Sequence, residues 1–484
     1  MKAKWLGGIW IGLCLLVPGA NAAQAQKLQS LIDNVVAAYG GDALLNMDTL
    51  VLRDESKGFR YGQSYNPVDV DALHCDALIA IDFKQQRIAL QWLRGKKPDY
   101  SLQHQVFDGK TGFSIDHSGR TIRENPNLHF GNTDRRVSYY LDTVLVKALL
   151  SVRQQAKYAG EIDLRGKPHS QIVFQAKDYP QMTLFVDNAT GMITQMKQDS
   201  WVEGEYLLYQ YANHHKINGV RFAQETYLTE GGSPENLTLS RDIEVNQNVD
   251  TYFALPQGYG QQGESLVFAQ LESRKIDDNL YIAGQDWGFS IFYDAGDYFI
   301  AAGGYDGLTD RLAAIQKLSG KNNPLKYLVV SHHHRDHLAG MNEAAMLGAN
   351  FITVKAHVDA VKANIKEPIT DERFIIVDGQ QSFEQGKVKV FDFPNYHSSH
   401  NLITWVPSAK LVFTVDMYLS REATGSPEGD VSLLQLQALF EQNNMQPRRF
   451  AAAHSGRILT EEDFAWSLKN HYQAVCPAFL HICQ

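Results

Sequence analysis

Residues 331–340 read SHHHRDHLAG, which places His332, His334, Asp336 and His337 in an H-x-H-x-D-H spacing. Imidazole nitrogen and carboxylate oxygen are the donors that a Zn²⁺-like ion accepts. One tract of this kind supplies only part of a ligand set. Three further polar residues each follow an apolar run later in the chain: His397 after KVKVFDF, Asp416 at the end of KLVFTVD, and His454 after RRFAAA. Any one of them alone would more often be structural. Together with the tract they form a repeated pattern of donors just past strand-like segments, where α/β folds build their sites. His333, His400, Asn401 and Tyr418 lie beside these residues and are candidates to orient groups around a bound ion.

The elements that must position this set can be read from periodicity. The tract follows the strand-like LKYLVV and precedes the helical pattern AGMNEAAMLG. Beyond it NFITV, FIIVDG, KVKVFDF, NLITWVP and KLVFTVD read as strands and HVDAVKANI as a helix. Thr460-Glu-Glu-Asp463 is an N-cap pattern leading into FAWSLKNHYQAV. Residues 266–484 are therefore expected to form an α/β domain. Upstream, Leu28, Leu31, Ile32, Val35 and Val36 share one helical stripe that stops at Gly40-Gly41. ALIAIDF, RIALQWL, SQIVFQA and MTLFVD then read as strands between turn signals at Asp108-Gly109, Asp187–Gly191 and Asn218-Gly219. Residues 26–255 are expected to be an antiparallel β domain with an N-terminal helix. The aperiodic ALPQGYGQQGESL places a linker at 256–265. The fold class is thus two-domain, α+β followed by α/β.

The 484 residues are 44% hydrophobic and 20% charged, a globular composition with room for two or three domains. Residues 1–25 read as a Sec-type signal peptide. Lys2 and Lys4 precede the apolar Ile9–Val17, and A-x-A patterns end at Ala22 and Ala25. Cys14 lacks the small preceding residue of a lipid-attachment site. The mature chain is expected to be exported to the periplasm without an integral membrane span. A formal charge of −9 argues against nucleic-acid partners, since phosphate binding needs clustered Lys and Arg. Cys476 and Cys483 are close enough to close a small loop, which would leave Cys75 unpaired; three free thiols is the alternative.

The ordered set His332, His334, Asp336, His337, His397, Asp416, His454 makes the second half resemble the metallo-β-lactamase superfamily. That resemblance implies an αββα sandwich and two Zn²⁺ per chain, with iron or manganese as alternative ions. His332, His334 and His397 would hold the first ion; Asp336, His337 and His454 would hold the second. Asp416 would bridge them, and Asp336 and Asp416 are the candidate catalytic carboxylates. Water bound to such a site loses its proton at a pKa of roughly 7, so the implied activity is hydrolysis of an ester, thioester, lactone or related bond by metal-hydroxide attack.

Asp416 stands where many antibiotic-hydrolysing members carry Cys, and His334 where diiron members usually carry a carboxylate. The family's usual Asp after the first strands is replaced by Ala301 or Ala302, with Asp306 nearby. The first half resembles the periplasmic lipoprotein-carrier family through YGG, FDGKTGF, VDNATGMITQM and IEVNQNVDTYFALP. This implies a helix within a curved half-barrel sheet and a small acylated or amphiphilic substrate. The competing expectations are an amphiphile-binding protein with a scaffold second half, and a mononuclear iron dioxygenase of the same superfamily.

Overall fold

The computed structural model describes residues 18–96, 99–133, 139–200, 204–470 and 475–483. Residues 1–17 of the expected signal peptide lie outside them, as do 471–474 of the last helical pattern. The first helix, Pro18–Tyr39, takes in both expected cleavage patterns. Its stripe buries Leu28, Ile32, Val35 and Tyr39. The helix ends where Gly40 takes φ 123°, and a Cβ there would meet Gly219 O at 2.3 Å. The helix stop is thereby packed on the Asn218-Gly219 turn of a distant hairpin.

Fourteen strands among the described residues form the first sheet. The chain meanders outward from Thr49–Phe59 and returns so that Ser233–Val245 pairs antiparallel with that first strand. The helices Pro18–Tyr39 and Asp142–Ser151 share one core with the sheet, with Ile32, Val35, Leu145 and Leu149 against Ile79 and Leu184. Residues Gly260–Gln261, inside the expected linker, pair in parallel with Thr121–Glu124. Leu266 N then donates to Arg421 O at 2.8 Å, so main-chain hydrogen bonds fix this segment to both halves.

Among its described residues the second half contains a seven-stranded and a six-stranded sheet. They share a core in which Ile282, Ile291 and Val329 of one sheet meet Val390, Leu402 and Phe413 of the other. The outer face of the seven-stranded sheet packs Leu308, Leu312, Met341 and Val361 from helices. The outer face of the six-stranded sheet packs Leu433, Leu436, Phe440 and Phe464. The layers therefore run helix, sheet, sheet, helix. Helix Glu461–Lys469 starts with the expected capping box, Thr460 with Asp463. Cys476 and Cys483 are disulfide-bonded and Cys75 is free and buried. The bonded loop turns back to the first sheet, where Ile482 N donates to Gln91 Oε1 at 3.3 Å. Among the described residues no helix is long and apolar enough to cross a membrane.

Candidate metal centre

The seven residues singled out from the sequence converge at one edge of the two facing sheets. Strand Leu325–Val329 runs into His332 and His334, and the short helix Arg335–Leu338 carries Asp336 and His337. From the other sheet, Val388–Asp392 leads to His397, Leu411–Phe413 to Asp416 and Arg449–Ala452 to His454. Two groups form. One donor atom from each of His332, His334, His397 and Asp416 lies within 4.8 Å of the others, and the same holds for Asp336, His337 and His454. Asp416 stands between the groups: its Oδ2 is 3.1 Å from His397 Nε2 and 3.0 Å from His337 Nε2, and its Oδ1 is 3.3 Å from His454 Nε2.

The outer nitrogens of His332, His334, His337 and His454 are engaged, which fixes the faces these four rings turn inward. His454 Nδ1 donates to Trp287 O at 3.0 Å, and His334 Nε2 donates to Ser64 O at 3.0 Å. Ser331 Oγ lies 3.2 Å from His332 Nδ1 and 3.4 Å from His337 Nδ1. The inner atoms are therefore His332 Nε2, His334 Nδ1, His337 Nε2 and His454 Nε2. An imidazole held by its outer N–H presents a lone pair on the other nitrogen. His332 Nε2 and His397 Nε2 are 3.2 Å apart, and His397 Nε2 is also 3.1 Å from Asp416 Oδ2, so three candidate ligand atoms face one small space. Asp416 Oδ1 is buried without a hydrogen-bond donor, a costly state for a carboxylate oxygen unless a cation faces it. On these grounds the donor set fits a metal ion.

The ionisation states of three rings agree with this fit. Burial, with His397 next, pushes His334 down to about 2. Burial and the neighbouring imidazoles hold His332 well below its ordinary range, and burial lowers His454. These rings are neutral at pH 7, the ligating form. Burial also opposes charge on His337, but the Asp416 and Asp336 carboxylates outweigh it and raise the ring. Burial pushes Asp416 up, yet His337, His397 and His332 hold it well below the usual carboxylate range.

Four participants carry no signal in the H-x-H-x-D-H pattern. Tyr305 hydroxyl lies 3.2 Å from Asp336 Oδ2, 3.2 Å from His337 Nε2 and 2.9 Å from His454 Nε2. Burial and the Asp416 and Asp336 carboxylates hold its phenol far above the ordinary range, so it keeps its proton. Its approach depends on Gly340, where a Cβ would fall 2.0 Å from Tyr305 O. Trp287 stacks on the His454 ring with centroids 5.2 Å apart. Gln63 and Ser64 come from the first half: Gln63 Nε2 donates to Asp336 Oδ1 at 2.7 Å.

The neighbours of the ligand candidates divide. His333 donates to Ser64 O at 2.9 Å and lies outside both groups. His400 Nδ1 is 2.7 Å from Asp392 Oδ2. Asn401 is fully buried. Tyr418 belongs to the core, with its hydroxyl 2.9 Å from Ser467 Oγ. The register of the tract is open to test. His334→Ala should lose bound metal, whereas His333→Ala should keep it, as measured by metal analysis of the purified variants. Equal losses would mean that the register is wrong.

No family model and no curated protein matches the sequence. Among solved structures, DIM-1 metallo-beta-lactamase is similar with a TM-score of 0.35 and 15% identity, over 42% of this chain and 97% of that one. The metallo-beta-lactamase FIM-1 from Pseudomonas aeruginosa, in its mono-zinc form, is similar with a TM-score of 0.34 and 15% identity, over 43% and 95%. A metallo-beta-lactamase from Hirschia baltica has a TM-score of 0.32 and 15% identity, over 41% and 96%.

Proposed function

We propose that this chain is an exported dinuclear zinc hydrolase of the metallo-β-lactamase superfamily, cleaving an ester, thioester, lactone or related bond in a small acylated or amphiphilic molecule. One observation carries the reading: seven nitrogen and oxygen donors converge in two groups with a single carboxylate, Asp416, between them. His332, His334 and His397 would hold the first ion, Asp336, His337 and His454 the second, and Asp416 both. The ions would supply a nucleophile at neutral pH and a Lewis acid for the developing oxyanion.

The protein's own groups prepare the rest. Neutral His332, His334 and His454 would bind an ion without competition from protons near pH 7. Asp416 would contribute negative charge between two cations. The Tyr305 phenol, still protonated, stands as a hydrogen-bond donor beside Asp336. The Lys2/Lys4 and Ile9–Val17 pattern supports export, and the separate cores of the two halves support two domains.

Metal analysis of the full chain tests the reading, followed by turnover of ester, thioester, lactone, β-lactam and phosphodiester substrates. Two ions per chain, mainly zinc, with hydrolysis lost on chelation and restored by zinc, are expected. One iron and no zinc would overturn the dinuclear hydrolase reading in favour of a mononuclear iron enzyme. Two zinc ions with no turnover of any substrate class would favour a binding protein.

A further inference from the structure

We infer that the loop Arg60–Asp71, from the first half, is a working part of the metal centre, and that Gln63 and Ser64 are positioning residues for its ligands. The inference rests on the metal-site reading above.

The loop is internally built. Arg60 N donates to Asp71 O at 2.9 Å, closing its neck. Ser64 Oγ donates to Arg60 O at 2.7 Å and accepts from Asp71 N at 3.1 Å, and Tyr65 N donates to Asp71 Oδ2 at 2.7 Å. This arrangement fixes the Ser64 carbonyl and the Gln63 side chain relative to the strands Thr49–Phe59 and Ala72–Asp82 that carry the loop. From there the loop reaches the second half at successive residues. Gly62 O accepts from Arg335 N at 2.9 Å and Tyr65 O accepts from Ser399 N at 2.8 Å. Between these anchors lie the two contacts to candidate ligands, Ser64 O to His334 and Gln63 to Asp336.

A contact that only glued the halves together would have no reason to end on these atoms. Ser64 O takes the Nε2–H of His334, so the ring can offer only Nδ1 to the first ion. Gln63 takes Asp336 Oδ1, leaving Oδ2 to face His337 and His454, each 3.4 Å away. The loop therefore selects one donor atom in each group. Partners of this outer kind typically alter metal affinity 10–100-fold when removed.

The test uses the full chain, with Gln63→Ala to remove the amide donor and Ser64→Ala to remove the two bonds that fix the Ser64 carbonyl. Zinc affinities are measured by competition with a chelating indicator, and ligand geometry by the absorption spectrum of the Co²⁺-loaded protein. Melting of the metal-free protein reports on any purely structural role. Gln63→Ala should weaken the second zinc by about tenfold and Ser64→Ala the first by about tenfold. Both should alter the Co²⁺ spectrum, and the metal-free melting temperature should change little. Unchanged affinities and spectra in variants of a wild type that holds two ions would overturn this inference alone. A fall in melting temperature with an unchanged saturated Co²⁺ spectrum would overturn it too, because the loop would then be glue. A wild type that takes up no metal would overturn both this inference and the hydrolase reading.

Discussion

Asp416→Asn should empty the second metal site first and lower hydrolysis by ~100-fold or more, since even partners outside the ligand set cost 10–100-fold. The substitution keeps the size of the side chain and removes its charge. In the native chain that charge is secured against burial by His337, His397 and His332, which hold the carboxyl well below its usual range. An amide offers one neutral oxygen where the carboxylate offers two charged ones, Oδ2 towards His397 and His337 and Oδ1 towards His454. Two cations would then sit close together without the anion that offsets their repulsion. The first group retains three imidazoles, His332, His334 and His397, whereas the second retains two imidazoles and Asp336. The second is therefore expected to lose its ion at the lower chelator concentration. Metal per chain and kcat/KM, measured on the same preparations, check this. If two ions and full activity survive, Asp416 is not the bridge.

The ligand candidates were legible because their chemistry is local. Four fall in one tract, and three follow apolar runs that do end as strands in the second half. The groups that orient them were not legible, for physical reasons that differ from residue to residue. Gln63 meets Asp336 across a separation of 273 residues, and nothing in YGQSYNPVDV marks it as more than a polar turn. Tyr305 lies in YFIAAGGYDG, where a tyrosine beside two glycines reads as packing until Gly340 lets it approach the histidine tract. KLVFTVD reads as one strand to its last residue, yet the strand ends at Phe413. Val415 takes φ 60°, a conformation that is a genuine outlier for a β-branched residue and costs roughly 1–3 kcal/mol. Its side chain is fully buried, and its carbonyl accepts from Ala453 N at 2.9 Å, so surrounding structure over-determines a turn that local propensity opposes. That turn immediately precedes Asp416. Periodicity gives way where backbone strain aims a candidate ligand, and Gly260–Gln261 within the expected linker 256–265 pair with the first sheet.

Arg241→Met should destabilise the first half by about 3–5 kcal/mol, the usual consequence of leaving one member of a buried ion pair behind. The Arg241 and Asp54 side chains are both 0% exposed, with Nη2 to Oδ2 at 2.6 Å. The guanidinium also donates to Asp54 through Nε at 2.9 Å, to Ala223 O at 2.7 Å and to Thr238 Oγ1 at 3.0 Å. Burial already raises the Asp54 pKa, with Arg241 opposing it; without Arg241 the rise must be larger. A carboxyl whose folded pKa lies above its unfolded value costs no stability at pH below the unfolded value, where both states are protonated. The cost grows as pH rises, because the unfolded chain releases a proton that the folded one retains. The deficit of Arg241→Met should therefore be smallest in acid and widen through and above the ordinary carboxylate range. Asp54 lies on Thr49–Phe59, the strand that runs into the Arg60–Asp71 loop, so zinc affinity should fall with the stability of this sheet. The double variant Asp54→Leu/Arg241→Met replaces the pair by apolar groups and should recover most of both losses. Chemical denaturation across pH, with zinc titration of the same three proteins, measures these effects. A deficit independent of pH would show that Asp54 is not the group left uncompensated. Recovery of stability without recovery of zinc affinity would separate the sheet from the metal centre.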